Sequence, residues 1–600
     1  MSDILARHRP ISALRRWAPP LVVAAAFVHG LAVSWLKWGG LLVDTGRELQ
    51  LPQRMLAGET LYSDLRYYYG PLSPYVNMLL YGTFGVRLEV LAWAGIASAA
   101  LMCLGLYRLS RSFLNPWPSA VIAAAFLYLC AFAHLYPYPI FNFVLPYSYA
   151  STYGIVAATW SIHWLVRHVR EKARATLLLS AACLTLTALT KMEILLAAFA
   201  AHAMFLAMSR SERRFTRNLH LIAYGVTAAL VLGVYGVLAA RTGPAIWHDN
   251  LGSALNPTIR HFSMQLMGLE NVGPSVVLVA LSAILLGVII VSTRLLGRIA
   301  AEKGQSPLIY ALVLGAGIIP FFCSWLLFPI TFLALPFIGL GVIVVLAAHW
   351  LRQPERRTEW SAHLILWTFA TVCFYRILLR CYPPGYGFFL LPPGLVALGI
   401  LLFDYAPRLI GSSGWPRRVV EVAGVGLFAG SALAALQVSS NWYALHTEEI
   451  ATQRGRLYTI ADGIQAPAVR ALSILPSETR VLALPEGAGL VFMSGLRPTP
   501  DGMFSYLPIE IYGNYDDARI LAKWKTNPPD IVVMVKRQMP EYGYRGFGID
   551  YAIDLYAWVL ENYEPITGKN AAFVLMHHRT TSSADGAHRL APDRIMEKDR

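Results

Sequence analysis

Residues 174–208 read RATLLLSAACLTLTALTKMEILLAAFAAHAMFLAM, and the division of this run decides the architecture of everything after it. At about 1.5 Å of rise per residue and about 20 apolar residues per crossing, the run is too long for one transmembrane helix. Apart from Arg174 at its edge, its only charges are Lys191 and Glu193, near the middle. A break there makes a hairpin of two spans, 174–190 and 192–208. One crossing more or fewer would put all later segments on the opposite side of the membrane, so the split can be tested against charge.

Working outward, further apolar runs of spanning length lie near 18–36, 88–107, 118–134, 147–166 and 219–240, then near 275–293, 307–325, 328–349, 361–379, 388–405 and 418–437. With the hairpin the total is about thirteen. If the N-terminus is cytoplasmic, the inside loops carry Arg108/Arg111, Arg167/Arg170/Lys172/Arg174, Arg210/Arg213/Arg214/Arg217, Arg294/Arg298/Lys303, Arg352/Arg356/Arg357 and Arg408/Arg417/Arg418. The intervening segments 134–146 and 323–329 contain no Lys or Arg, and those near 241–273 and 376–387 have two Arg each. That asymmetry is the positive-inside pattern, and an odd number of spans places the C-terminal part outside the cytoplasm.

Composition agrees. Of 600 residues, 56% are hydrophobic and 14% charged, with a mean hydropathy of +0.49, which excludes a soluble enzyme of this length. The net charge of +15 comes from clusters at the ends of apolar runs, so it signals membrane orientation rather than nucleic acid. The first run follows Arg7, Arg9, Arg15 and Arg16 and is bounded by Trp35, Lys37 and Trp38 with no small-residue cleavage site, so we expect a retained signal anchor. The six cysteines, at 103, 130, 183, 323, 373 and 381, all lie in or beside apolar runs. Neither a disulfide framework nor a zinc site is expected.

Residues 438–580 differ: charge rises, and apolar runs shorten to strand length at Arg480–Leu484, Asp530–Val535 and Ala572–Met576. Helical periodicity near 512–526 and 549–562 alternates with them, predicting a small periplasmic α/β domain. Gly487 and Gly489 follow a strand, which suits a strand-to-helix turn better than a nucleotide site. The polar tail 581–600 is expected to be disordered. The transmembrane domain is then 1–437, with its first periplasmic loop at 39–87.

That loop holds Asp44-Thr-Gly-Arg-Glu-Leu-Gln-Leu-Pro52, Gly58-Glu-Thr-Leu-Tyr-Ser-Asp64 and Tyr69-Gly-Pro-Leu-Ser-Pro-Tyr75. It resembles the first periplasmic loop of the GT-C class of membrane glycosyltransferases, in the bacterial branch of protein O-mannosyltransferases, the lipid A aminoarabinose transferase and Rgt-type lipopolysaccharide transferases. The resemblance extends to Asn142-Phe-Val-Leu-Pro-Tyr147, to Thr190-Lys-Met-Glu193 and to the plan of many spans followed by a periplasmic domain. It implies a polyprenyl-phosphate sugar donor, an extracytoplasmic glycan, lipid or protein acceptor, and a catalytic carboxylate at Asp44. The Asp-Glu pair of protein O-mannosyltransferases is absent, since Thr45 follows Asp44.

The residues carry the same chemistry on their own. A lipid-linked donor stays in the bilayer, so acid and base groups must stand at its surface. Asp44 is placed to take a proton from an acceptor hydroxyl as general base, or else to cap a helix beginning near Thr45. Glu48 lies one turn later on the same face if that segment is helical and is a candidate to support Asp44, or else a solvated loop acid; Asp64 is the other acid of the loop, read for acceptor binding or catalysis against a role in a turn. Arg47, Lys191, Arg376 and Arg380 are cations on the side where cations are disfavoured; they suit a leaving phosphate, or snorkelling and pairing such as Lys191 with Glu193. Tyr67, Tyr68, Tyr69 and Tyr75 around Gly70-Pro71 suit either a sugar platform or an interfacial aromatic belt. Pro-rich breaks at Cys381–Gly387 and Leu391–Gly394 predict irregular backbone lining a cavity. With these cations no metal cofactor is required, and His248-Asp249 is read as plain loop. A transporter or lipid flippase is the other reading of such a chain; no repeated halves support it.

Overall fold

The computed structural model describes residues 2–209, 214–247, 249, 257–302, 307–410, 414–461, 463–514, 517–566 and 573–579. The tail 581–600, His248, Ala572, Tyr515 and Asp516, and the basic residues Arg210, Arg213 and Lys303 lie outside these. A helix occupies each of the thirteen apolar runs. Six described stretches, among them Leu88–Arg111 and Arg417–Ala444, are long and apolar enough to cross a membrane. Large apolar side chains cover the outside of these helices, Leu232 and Val344 being about 70% exposed, a surface that water would not tolerate over so wide an area. The chain is a multi-pass membrane protein.

The 174–208 run forms the expected hairpin, with helices Arg174–Ala188 and Met192–Met208. Lys191 sits in the break with extended backbone. Helix contacts elsewhere use small residues, as membrane packing requires when lipid is as apolar as leucine. A methyl added to Gly426, for instance, would come within 3.0 Å of the Gly317 carbonyl carbon, so these helices touch backbone to backbone.

The loop after the first helix contains two helices, Thr45–Leu56 and Leu72–Phe84; the first was anticipated and the second was not. Beyond the last long helix, Gly414–Ala444, strands β1 (His446–Thr452) and β2 (Gly455–Ile460) form an antiparallel pair. Five more follow: β3 (Arg480–Leu484), β4 (Arg497–Pro498), β5 (Ile531–Val535), β6 (Tyr563–Pro565) and β7 (Phe573–His578). They make one mixed sheet in the order β4-β3-β5-β7-β6, parallel at β4-β3-β5 and antiparallel at β7.

Strand periodicity assigns the faces of this sheet. Val481, Ala483, Ile531, Val533 and Val535 join a core that runs on through Leu490 and Phe492 to Leu41, Trp38 and Leu91 of the helical body. Leu482, Leu484 and Val532 point the other way, into a second core with Trp524 and Tyr551. The C-terminal domain is thereby seated on the loop that bears Asp44.

Candidate functional site: an acidic loop, three cations and the C-terminal domain

The helix Thr45–Leu56 begins directly after Asp44, yet the Asp44 carboxylate makes no capping bond. One-third exposed, it pairs with Arg47 Nη1 at 2.9 Å. Position i+3 brings Arg47 back over the first turn. Arg47 is fixed from two other sides: Nε meets Glu48 Oε1 at 3.3 Å, and Nη2 donates to the Tyr147 carbonyl at 2.7 Å. Glu48 is buried, and its Oε2 accepts the Tyr149 N–H at 2.9 Å. Burial raises the Glu48 pKa against the opposing pull of Arg47, so Glu48 holds the arginine in place while Asp44 keeps its outer face open.

Lys191 comes to the same place from the hairpin break. Its ammonium pairs with Glu193 Oε1 at 2.8 Å, donates to Ser151 Oγ at 3.3 Å and to the Tyr147 hydroxyl, and lies 4.8–5.0 Å from the ring centres of Tyr69, Tyr147, Tyr386 and Phe389. Four aromatic faces within cation–π range replace water around a buried ammonium. Tyr386 stacks on Tyr147 with centroids 5.1 Å apart and belongs to the irregular segment at Cys381–Gly387. Arg376 reaches Glu193 Oε2 with its Nε at 3.9 Å and Ser263 Oγ with its Nη1 at 2.8 Å. Arg47, Lys191 and Arg376 thus form one charged cluster with Asp44, Glu48 and Glu193. Among the described residues, no three His, Cys, Asp or Glu side chains converge as metal ligands.

The remaining candidates sit elsewhere or play other parts. Arg380 is directed to Tyr382 and packs its stem against Gly268; the segment Phe374–Ile377 winds into a tighter helix and ends in a turn, so Arg376 and Arg380 do not share a face as on a continuous helix. Asp64 is exposed and its Oδ2 accepts the Thr60 N–H at 2.8 Å, closing a turn. Tyr69 lies between Arg47, whose guanidinium is 5.8 Å from its ring, and Lys191. Tyr67 packs edge-on against Tyr69 and shares a hydrogen bond with Ser73 at 3.0 Å. Tyr75, 38% exposed, lies on the helix Leu72–Phe84. Asp249, outside the site, accepts the Tyr67 N–H at 3.4 Å.

No family model matches the sequence, and no curated protein does. Among solved structures the chain is similar to the Archaeoglobus fulgidus oligosaccharyltransferase in its apo form, at 13% identity and a TM-score of 0.45 over 87% of this chain and 70% of that one. It is similar to archaeal AglB from Archaeoglobus fulgidus in complex with an inhibitory peptide and a dolichol-phosphate, at 12% identity and a TM-score of 0.46 over the same shares. It is also similar to ArnT from Cupriavidus metallidurans in the apo state, at 14% identity and 0.45 over 94% of this chain and 98% of that one.

Several members of the site escaped sequence reasoning. Tyr147 stood in a quoted motif and Tyr386 in a quoted Pro-rich break, but nothing in either stretch marked them as walls around one lysine. The C-terminal domain also contributes. The helix Ala488–Ser494 lies against the Asp44 loop, with Gln50 Nε2 donating to the Ala488 carbonyl at 2.8 Å and the Gly489 N–H donating to the Leu41 carbonyl at 3.1 Å. Gly487, with φ +137°, makes the strand-to-helix turn that the glycine pair predicted, and Gly489 permits the close approach.

Proposed function

We propose that this protein is a membrane glycosyltransferase that moves a sugar from a polyprenyl phosphate to an extracytoplasmic acceptor, with inversion at the anomeric carbon. The observation that supports it is the Asp44 carboxylate: free of capping duty, partly exposed, and set against Arg47 beside a group of buried cations at the end of apolar helices. In the reaction, Asp44 takes the proton of the acceptor hydroxyl. The acceptor oxygen bonds to the anomeric carbon as the carbon–oxygen bond to phosphate breaks, and the electron pair leaves with the phosphate. Arg47, Lys191 and Arg376 neutralise that leaving charge, and Tyr69 supplies an aromatic face to the sugar.

The charge asymmetry of the loops supports a cytoplasmic N-terminus, a transmembrane unit over 1–437, and a periplasmic domain over 438–580 in an inner membrane. Full-length protein in liposomes containing undecaprenyl phosphate charged with a radiolabelled hexose tests the activity. Transfer of label to a delipidated cell-envelope fraction is expected; movement of the intact lipid between leaflets without transfer would support a flippase instead.

A further inference from the structure

Far from Asp44 the protein holds a second polar recess. The helix Tyr149–Glu171 starts at Tyr149, whose N–H meets Glu48, and its 23 residues end just past Arg170. At about 1.5 Å per residue that length is roughly one hydrocarbon thickness, about 30 Å. The helix Arg357–Cys373 runs the other way, with Glu359 in its first turn and Arg376 just past its end. Both helices therefore join the site around Asp44 to a cavity at the opposite membrane face. That cavity holds about 460 Å³ and is walled by Arg170, Glu355, Arg356, Glu359, Asp404 and Arg408, a size within the usual range of about 300–1,000 Å³ for ligand sites. Arg170, Glu355, Arg356 and Arg408 are exposed, so the cavity is open from outside.

The charges on its walls are unevenly matched. Arg408 is shared by Asp404 at 2.8 Å and Glu359 at 3.4 Å, and Arg356 Nη2 reaches Glu359 at 2.8 Å. Arg170 and Glu355 differ, since among the described residues neither forms an ion pair. Arg170 Nη1 donates to the Ser112 carbonyl and its guanidinium lies 4.9 Å from the Phe113 ring centre. Its Nε and Nη2 make no hydrogen bond among the described residues. One unmatched cation and one unmatched carboxylate, set around an arginine already neutralised, suit a ligand that carries both charges. A simple anion would be repelled by Glu355 and a simple cation by Arg170.

The surroundings of the cavity fix where that ligand resides. Arg356 lies 4.5 Å from the Trp360 ring centre, Arg357 4.8 Å from that of Trp350, and Arg167 5.3 Å from that of Trp164. Tryptophan beside arginine at the ends of apolar helices marks the level of lipid headgroups, so the cavity opens where the phosphates and amines of the bilayer stand. We propose that it binds the headgroup of a zwitterionic aminophospholipid, phosphatidylethanolamine, with the phosphate at Arg170 and the ammonium at Glu355. A guanidinium offers paired N–H donors to phosphate oxygens. A primary ammonium offers three donors to a carboxylate, which the trimethylated ammonium of a choline lipid lacks. The bound lipid takes no part in glycosyl transfer, because a bilayer thickness separates it from Asp44.

The test delipidates the full-length protein in detergent and titrates it with phosphatidylethanolamine, phosphatidylcholine, phosphatidylglycerol and the chain-free headgroup glycerophosphoethanolamine, reading bound ligand by native mass spectrometry. The parent should bind phosphatidylethanolamine about tenfold or more tightly than the other two lipids, the weight of one charge-assisted hydrogen bond. Arg170→Gln and Glu355→Gln should each weaken that binding by a similar factor, and Glu355→Lys should turn the preference to phosphatidylglycerol. Glu355 is exposed and unpaired among the described residues, so its variants should unfold at the parental temperature, which separates a lost ligand contact from a lost fold. Equal binding of the three lipids by the parent, or undiminished phosphatidylethanolamine binding in Glu355→Gln, overturns the proposal. Glycerophosphoethanolamine binding as tightly as the intact lipid also overturns it, in favour of a soluble zwitterion taken from the aqueous phase.

Discussion

Gly46 and Gly489 touch with no room for a side chain: a methyl on Gly46 would lie 2.9 Å from the Gly489 Cα, and one on Gly489 would lie 2.6 Å from the Leu41 Cα. Backbone meets backbone here, between the loop after the first helix and the C-terminal domain. Replacing Gly489 by Ala should push the domain away from the Asp44 loop and cost about 1–3 kcal/mol, the usual penalty for overpacking. Limited proteolysis should then cut the C-terminal domain faster than in the parent. An unchanged digestion rate would mean that the seam yields more easily than its spacing implies.

Asp44→Asn preserves size and leaves every helix-capping bond as it was, because Asp44 makes none. Its thermal unfolding and its binding of undecaprenyl phosphate should match the parent. Turnover should fall by about 10²–10⁴-fold, the usual contribution of a general base. Near-normal turnover would remove Asp44 from the base role and direct attention to Glu48.

Lys191 and Glu193 form a largely buried pair, so removing the lysine leaves the carboxylate with Arg376 alone, 3.9 Å away. Lys191→Met should destabilise by about 3–5 kcal/mol. Lys191→Met combined with Glu193→Gln should recover most of that loss yet still bind undecaprenyl phosphate poorly. Binding restored together with stability would mean that the lysine serves packing and not the phosphate.

Asp64 closes an exposed turn on Thr60, so Asp64→Asn should stay within about 0.5 kcal/mol of the parent in stability, as surface changes usually do. Turnover and acceptor KM should also be near the parental values. A large rise in acceptor KM would return Asp64 to the acceptor site.

Much of this architecture was legible because hydropathy and charge are properties of local stretches. Lys191 and Glu193 were the sole interruption in a run too long for one span, and the chain does turn there. Within the first loop, the spacing of Asp44 and Glu48 placed them one turn apart on one helix face, and Arg47, named only as a loop cation, pairs with both. What lay hidden needed contacts between distant segments. The cage around Lys191 draws Tyr69, Tyr147, Tyr386 and Phe389 from three separate parts of the chain. Arg376 and Arg380 looked alike on a regular helix and parted because the backbone there tightens and turns.

The glycine seam also bears on the order in which a new chain acquires its chemistry. Asp44 and Arg47 leave the ribosome early, while the surface that packs on their loop, carried by Ala488 and Gly489, is made after all the long helices. Until that surface arrives, the first loop has half of its walls and its acid is open to water. In a protein built this way, the walls of the site are complete only when late-made residues fold back onto early-made ones.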